Sequence, residues 1–238
     1  MPSPRRRSPW APTTRARRTT PPEGGRGARG RPAAPLCIAL TGGIGAGKSE
    51  ALAAFAECGA ATLSSDAAVH ELYEDPEVVA AVAARFGPAV MTPGGAVDRA
   101  LLGPAAFGQE GGIAFLEELL YPRIGRHRQA WIDAQRARTP PPPLLVCEVP
   151  LLFEAGLADR FDAVLVVTAP DEVRRRRVEA RGQDFDERRA RQMPEEEKVA
   201  RADRFVRNDG DLAALRRWVA DRFREYAGHP CDASSAHR

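Results

Sequence analysis

Lysine is nearly absent from this chain. Of its 35 cationic residues only Lys48 and Lys198 are lysine, and the other 33 are arginine. No apolar run approaches the ~20 residues of a membrane span, so a membrane partner is not expected. The four cysteines, Cys37, Cys58, Cys147 and Cys231, are scattered without metal-ligand spacing. Cys37 and Cys147 fall inside apolar strand patterns and are expected as buried thiols rather than disulfides. That usage suits a reducing, intracellular setting, with the cytoplasm expected and organellar targeting by an Arg-rich N-terminal stretch as the alternative. A basic body is lacking too. Residues 1–35 hold nine Arg and one Glu, so removing their +8 from the net +3 leaves −5 for the rest. A mildly acidic body argues against nucleic acid as a partner.

The 238 residues suffice for one α/β domain with insertions. Leu36–Leu40 reads as a buried strand, followed by a glycine-rich turn and a helical pattern from Lys48 to Cys58. Gly42, Gly47, Lys48 and Ser49 fit G-x-x-x-x-G-K-[ST], the phosphate-binding P-loop. Gly42, Gly43, Gly45, Ala46, Gly47, Lys48, Ser49 and Glu50 are therefore the expected ATP-binding residues. Glycines let the backbone curl so that its N–H groups meet phosphate oxygens. The helix N-terminus adds partial positive charge. Lys48 can reach the β- and γ-phosphates, and Ser49 can ligate Mg²⁺. Lysine survives here in an arginine-rich chain because a compact ammonium fits where a guanidinium fork would crowd.

Residues 1–35, rich in Arg, Pro and Gly, read as a disordered basic tail. A short strand, Ala60–Leu63, leads through Ser64-Ser65-Asp66 into a serine-capped helix from about Ala67 to Tyr73. Residues 76–138 show no strand pattern and read as a helical insertion, with a long helix over Ile113–Arg138 interrupted at Pro122. Leu144–Val149 and Ala163–Thr168 are continuous apolar runs, as in a parallel sheet covered on both faces. Residues 171–204 form an arginine-loaded lid: a helix over Asp171–Ala180, a break at Gly182 and a second charged helix through Arg204. Phe205-Val206 is a last short strand, Asp211–Tyr226 an amphipathic helix, and residues 227–238 a frayed end. The core is then 36–75 with 139–226, and the fold a doubly wound parallel α/β sheet of the P-loop, nucleotide-kinase-like type.

In such a sheet ligands bind beyond the carboxyl ends of the strands. Asp66 stands at one such end and is the candidate general base. Glu148 ends another strand and is a candidate Mg²⁺ ligand with Ser49. In the run Arg174–Arg177, helical geometry lets one or two guanidiniums face a phosphate, while the others form a solvated face. These residues describe a Mg²⁺-dependent kinase acting on a small hydroxylated substrate.

Longer stretches resemble the dephospho-CoA kinase family over residues 36–226. They are Ala39–Ser49, Asp98-Arg99-x-x-Leu102, Val149-Pro-Leu-Leu-Phe-Glu154, Arg191-Gln-Met-Pro194 with Lys198 and Ala202-Asp203, and Asn208 followed by Gly210. The resemblance implies transfer of the ATP γ-phosphate to the 3′-hydroxyl of dephospho-CoA, with Mg²⁺ as cofactor and ATP and dephospho-CoA as small-molecule partners. It implies Asp66 as base, Lys48 and Arg174 or Arg177 as catalytic cations, and an acceptor site with Asp98, Arg99, Tyr121 and Pro150. It makes the helical insertion at 76–138 the substrate-binding, CoA-binding domain. A monomer is expected, with an oligomer as the alternative. The chain departs from the family pattern at Ser64, His70, Tyr121, Glu148 and Glu50. Those departures keep two alternatives in view: another small-molecule P-loop kinase, or a nucleotide-binding regulatory paralogue.

Overall fold

A computed structural model describes residues 34–231. The tail expected over 1–35 lies almost wholly outside that range, as do residues 232–238. The described chain divides into two compact units. One runs through Thr62 and resumes at Gln135, and the other is Leu63–Ala134.

The sheet has five strands, all in the first unit save the last two residues of β2: β1 (Cys37–Gly42), β2 (Ala61–Ser64), β3 (Leu145–Glu148), β4 (Ala163–Thr168) and β5 (Arg204–Arg207), in the order β2-β3-β1-β4-β5. β1 lies between β3 and β4 and is parallel to both, with Leu40 opposite Glu148 and Gly42 opposite Val167. All residues of β1, β3 and β4 are buried. That is why these strands read as unbroken apolar runs rather than alternating ones. Helix α1 (Lys48–Glu57) and the C-terminal helix α9 (Leu212–Ala227) share one core with the sheet, through Leu52, Phe55, Leu215, Val219 and Phe223.

The second unit holds α2 (Ser65–Leu72), α3 (Pro76–Phe86), α4 (Arg99–Gly108) and most of α5 (Gly112–Arg136). Its own core gathers Val78, Val82, Phe86, Leu102 and Leu120. Among its described residues the extended contact is one antiparallel bridge, Met91 to Val97.

Several expectations need correction. Helix α5 runs through Pro122 without interruption. Proline removes one backbone donor there, and the Arg123 side chain supplies a nearby one, Nη1 to the Leu119 carbonyl at 3.0 Å. After α6 (Asp171–Glu179) the lid carries two short helices, α7 (Phe185–Ala190) and α8 (Glu195–Arg201), instead of one. Pro194 cannot continue a preceding helix, and it stands as the N-cap of α8. Ser64 holds the N-cap position of α2 but makes no side-chain cap bond there.

The cysteine expectation fails for one pair. Cys37 and Cys147 are buried free thiols, but Cys58 and Cys231 form a disulfide. Cys58 caps α1, and Cys231 lies just beyond α9, which Gly228 ends in a left-handed cap. Packing of α1 on α9 brings together two residues 173 positions apart. Residues 227–231 are thus tied down rather than frayed, and cysteine usage no longer argues for a reducing compartment.

Candidate active site

The P-loop forms as the turn between β1 and α1. Gly42, at φ 150°, closes on β4 so tightly that a Cβ would strike the Val167 carbonyl oxygen. Gly47 is left-handed at φ 102°, and a Cβ there would strike Asn208 Nδ2.

Side chains hold the loop through its carbonyls. Lys48, 8% exposed, donates from Nζ to the Gly43 carbonyl at 3.1 Å. Arg177 Nη1 donates to the Gly45 carbonyl at 3.1 Å and lies 3.4 Å from that of Ala46. Asn208 Nδ2 donates to the Ala46 carbonyl at 2.8 Å, while its own N–H donates to Thr168 at 2.7 Å. In a trans peptide the N–H points opposite the C=O. Fixing the Ala46 carbonyl on the Asn208 side therefore turns the Gly47 N–H to the other side. Backbone donors oriented in this way bind phosphate. Ser49 and Glu50 are exposed at the start of α1. Glu50 thus sits in solvent, where water screens its charge.

The arginine run resolves by helical geometry. Arg174 and Arg177, one turn apart on α6, both turn to the P-loop, whereas Arg176 is exposed. Arg174 is 3% exposed, its guanidinium packed against Gly43. It bonds Asp171 Oδ1 at 2.6 Å and faces the Phe185 ring with its Cζ 5.3 Å from the centroid. Its Nη1 lies 3.4 Å from Glu195 Oε1, an ion-pair contact outside hydrogen-bond geometry. Its hydrogen bond holds the Asp171 carboxyl below the usual carboxylate range. Burial pushes the Glu195 carboxyl up, and the Arg174 charge opposes that rise. Arg175 pairs instead with Asp186, at 2.7 and 2.8 Å. A cavity of about 340 Å³ opens among these groups, lined by Asp171, Arg174, Arg189, Gln192 and Glu195.

At the end of β3, Glu148 is 5% exposed and opposite Leu40 in the strand that feeds the loop. A serine hydroxyl and a carboxylate are hard oxygen donors of the kind Mg²⁺ takes. No cluster of three or more His, Cys, Asp or Glu among the described residues could cage a metal. Pro150 offers its carbonyl to Thr41 Oγ1 at 3.4 Å and to Lys198 Nζ at 3.3 Å.

The other candidates belong to the unit 63–134. Asp66 is exposed in the first turn of α2. Asp98 caps α4, its Oδ1 accepting from the N–H groups of Ala100 and Leu101 at 2.9 and 3.2 Å. Arg99 Nη1 meets His70 Nδ1 at 3.1 Å. Tyr121 is 43% exposed.

The roles of Asn208, Gln192, Asp171, Glu195 and the Lys198–Glu154 pair escape sequence reasoning. For Lys198 a signal exists, since it is the only lysine outside the P-loop. Gln192 Oε1 accepts the Ile44 N–H at 2.8 Å and so ties the lid to the loop.

No helix among the described residues is long and apolar enough to cross a membrane. A family model for dephospho-CoA kinase matches residues 36–214. A dephospho-CoA kinase of Rhodopseudomonas palustris is 40% identical over 185 residues, 76% of this chain and 90% of that protein. One of Thermobifida fusca is 37% identical over 195 residues, 80% of this chain and 96% of that protein. A crystal structure from Thermus thermophilus superposes with a TM-score of 0.66 at 35% identity, covering 80% of this chain and 97% of that one. A dephospho-CoA kinase from Campylobacter jejuni shares the fold, with a TM-score of 0.59 at 21% identity, over 83% of this chain and all of that one. With nine-tenths of such relatives spanned, and the family model running from the P-loop strand into α9, the chain belongs to the dephospho-CoA kinase family.

Proposed function

We propose that this chain transfers the γ-phosphoryl group of ATP to the 3′-hydroxyl of dephospho-CoA, giving CoA and ADP. The observation that carries the reading is a P-loop whose carbonyls are engaged by Lys48, Arg177 and Asn208, in a chain of this family.

Phosphoryl transfer rests on positioning and electrostatic stabilisation. The P-loop N–H groups and Lys48 bind the ATP phosphates, and Arg174 and Arg177 bring positive charge to the loop. The Asp66 carboxylate takes the proton of the 3′-hydroxyl as its oxygen bonds to the γ-phosphorus. The bond to the β,γ-bridging oxygen breaks, and ADP leaves with that oxygen. Asp98, Arg99, Tyr121 and Pro150 are the acceptor-side residues of this reading. Ser49 and Glu148 would hold Mg²⁺, which when bound neutralises charge on the β- and γ-phosphates. ATP and dephospho-CoA are the small-molecule partners of this reading.

The test is ADP release with dephospho-CoA as acceptor and AMP as control. Turnover on dephospho-CoA and none on AMP supports the reading. Turnover on AMP alone would make the chain another P-loop kinase. ATP binding without turnover on either acceptor would make it a regulator.

A further inference from the structure

The second lysine sits at a junction of three segments. Lys198, in α8, is fully buried at 0% exposed. Its Nζ pairs with Glu154 Oε1 at 2.9 Å and donates to the Pro150 carbonyl at 3.3 Å. That same Glu154 oxygen accepts the Met193 N–H at 2.7 Å. The Pro150 carbonyl also accepts from Thr41 Oγ1, one residue before the P-loop. Beside Met193, Gln192 closes the ring on the Ile44 N–H. The circuit therefore runs from the P-loop strand to the loop after β3, on to the lid exit, and back to the P-loop.

A buried ammonium is costly unless paired and hydrogen-bonded. Lys198 meets that condition only while residues 150–154 and the lid exit keep this arrangement. Its ammonium thus selects one placement of Gln192 over the loop.

We propose that Lys198 is a positioning residue, which through Glu154 and Met193 holds Gln192 on the P-loop and so sets the lid for phosphoryl transfer. The kinetic part rests on the activity proposed above. The exchange part does not.

The test compares full-length Lys198→Met, Glu154→Gln and the double variant, each measured below its melting temperature. Contacting residues in one network couple non-additively. Each single variant is expected to lose about tenfold in kcat, and the double about the same, with the Kd for ATP shifted less than about threefold. Hydrogen exchange at the Ile44 and Met193 amides should speed up about tenfold or more in Lys198→Met. A purely structural role would lower the melting temperature but leave kcat per folded molecule and Ile44 exchange unchanged.

Losses in the double variant that multiply, or unchanged exchange at both amides, would overturn the proposal. If Lys198→Met does not fold, Lys198→Arg and Glu154→Gln carry the same comparison. Wild-type kcat and wild-type Ile44 exchange in both would overturn it. A wild-type chain inactive on dephospho-CoA would count against the proposed activity, and exchange alone would then decide the role of Lys198.

Discussion

Asn208 Nδ2 bonds the Ala46 carbonyl at 2.8 Å and fills the space that a side chain at Gly47 would need. A residue that follows the last strand thus fixes the backbone of the first loop.

Asn208→Ala removes the shorter of two side-chain hydrogen bonds to the buried Ala46 carbonyl and leaves only the longer one from Arg177, a loss of about 0.5–1.5 kcal/mol. The KM for ATP should rise about 2- to 10-fold by that measure, with a smaller fall in kcat. Gly47→Ala adds both a collision and a strained φ and should be the more damaging change. ATP saturation curves for both variants check this. An Asn208→Ala enzyme with wild-type KM would show that the bond does not orient the loop.

Asp66→Asn removes the proposed proton acceptor with little change in shape. A general base contributes about 10²–10⁴-fold, so kcat should fall by that factor while the KM for ATP holds. Steady-state rates over a range of ATP decide it, and a kcat near wild type would remove Asp66 from the role.

The strands and the loop were legible because their signals are local. β1, β3 and β4 are continuous apolar runs, and the P-loop is a fixed spacing of small residues before Lys48. The contacts that hold the loop are not local. Asn208 and Ala46 are 162 residues apart. In sequence Arg174 is one of four consecutive arginines of which one or two can face a phosphate, and only the packing of α6 on the P-loop selects it, with Arg177, from the run. Pro122 marks a break in any local reading, yet α5 continues through it. The Cys58–Cys231 pair depends wholly on the packing of α1 on α9.

That disulfide gives a prediction of its own. Unfolded without reductant, the protein should titrate two thiols, Cys37 and Cys147, and after reduction four. Reduction should cost about 2–4 kcal/mol of stability, read by denaturant melts. The kcat should be unchanged, since neither sulfur touches the P-loop residues described above. Four thiols without reductant would contradict the pairing.

The Arg174–Asp171 bond has a pH signature. Asp171 titrates below its ordinary value because Arg174 stabilises its charge. Its contribution is therefore present above the unfolded carboxyl pKa of about 3.9 and is lost as pH falls through the lower folded value. Asp171 is half exposed, so solvent limits the effect to about 1 kcal/mol or less. Wild type should melt slightly above Asp171→Asn at pH 7, and the gap should close at a pH acid enough to protonate Asp171 in the folded protein. A gap that persisted at that pH would have another origin.

The most direct measurement of the central claim is the product formed from dephospho-CoA and ATP. The expected outcome is CoA phosphorylated at the ribose 3′-oxygen, one ADP per CoA, and loss of both products in Lys48→Ala. ADP released without CoA, or the same yield from Lys48→Ala, would contradict it.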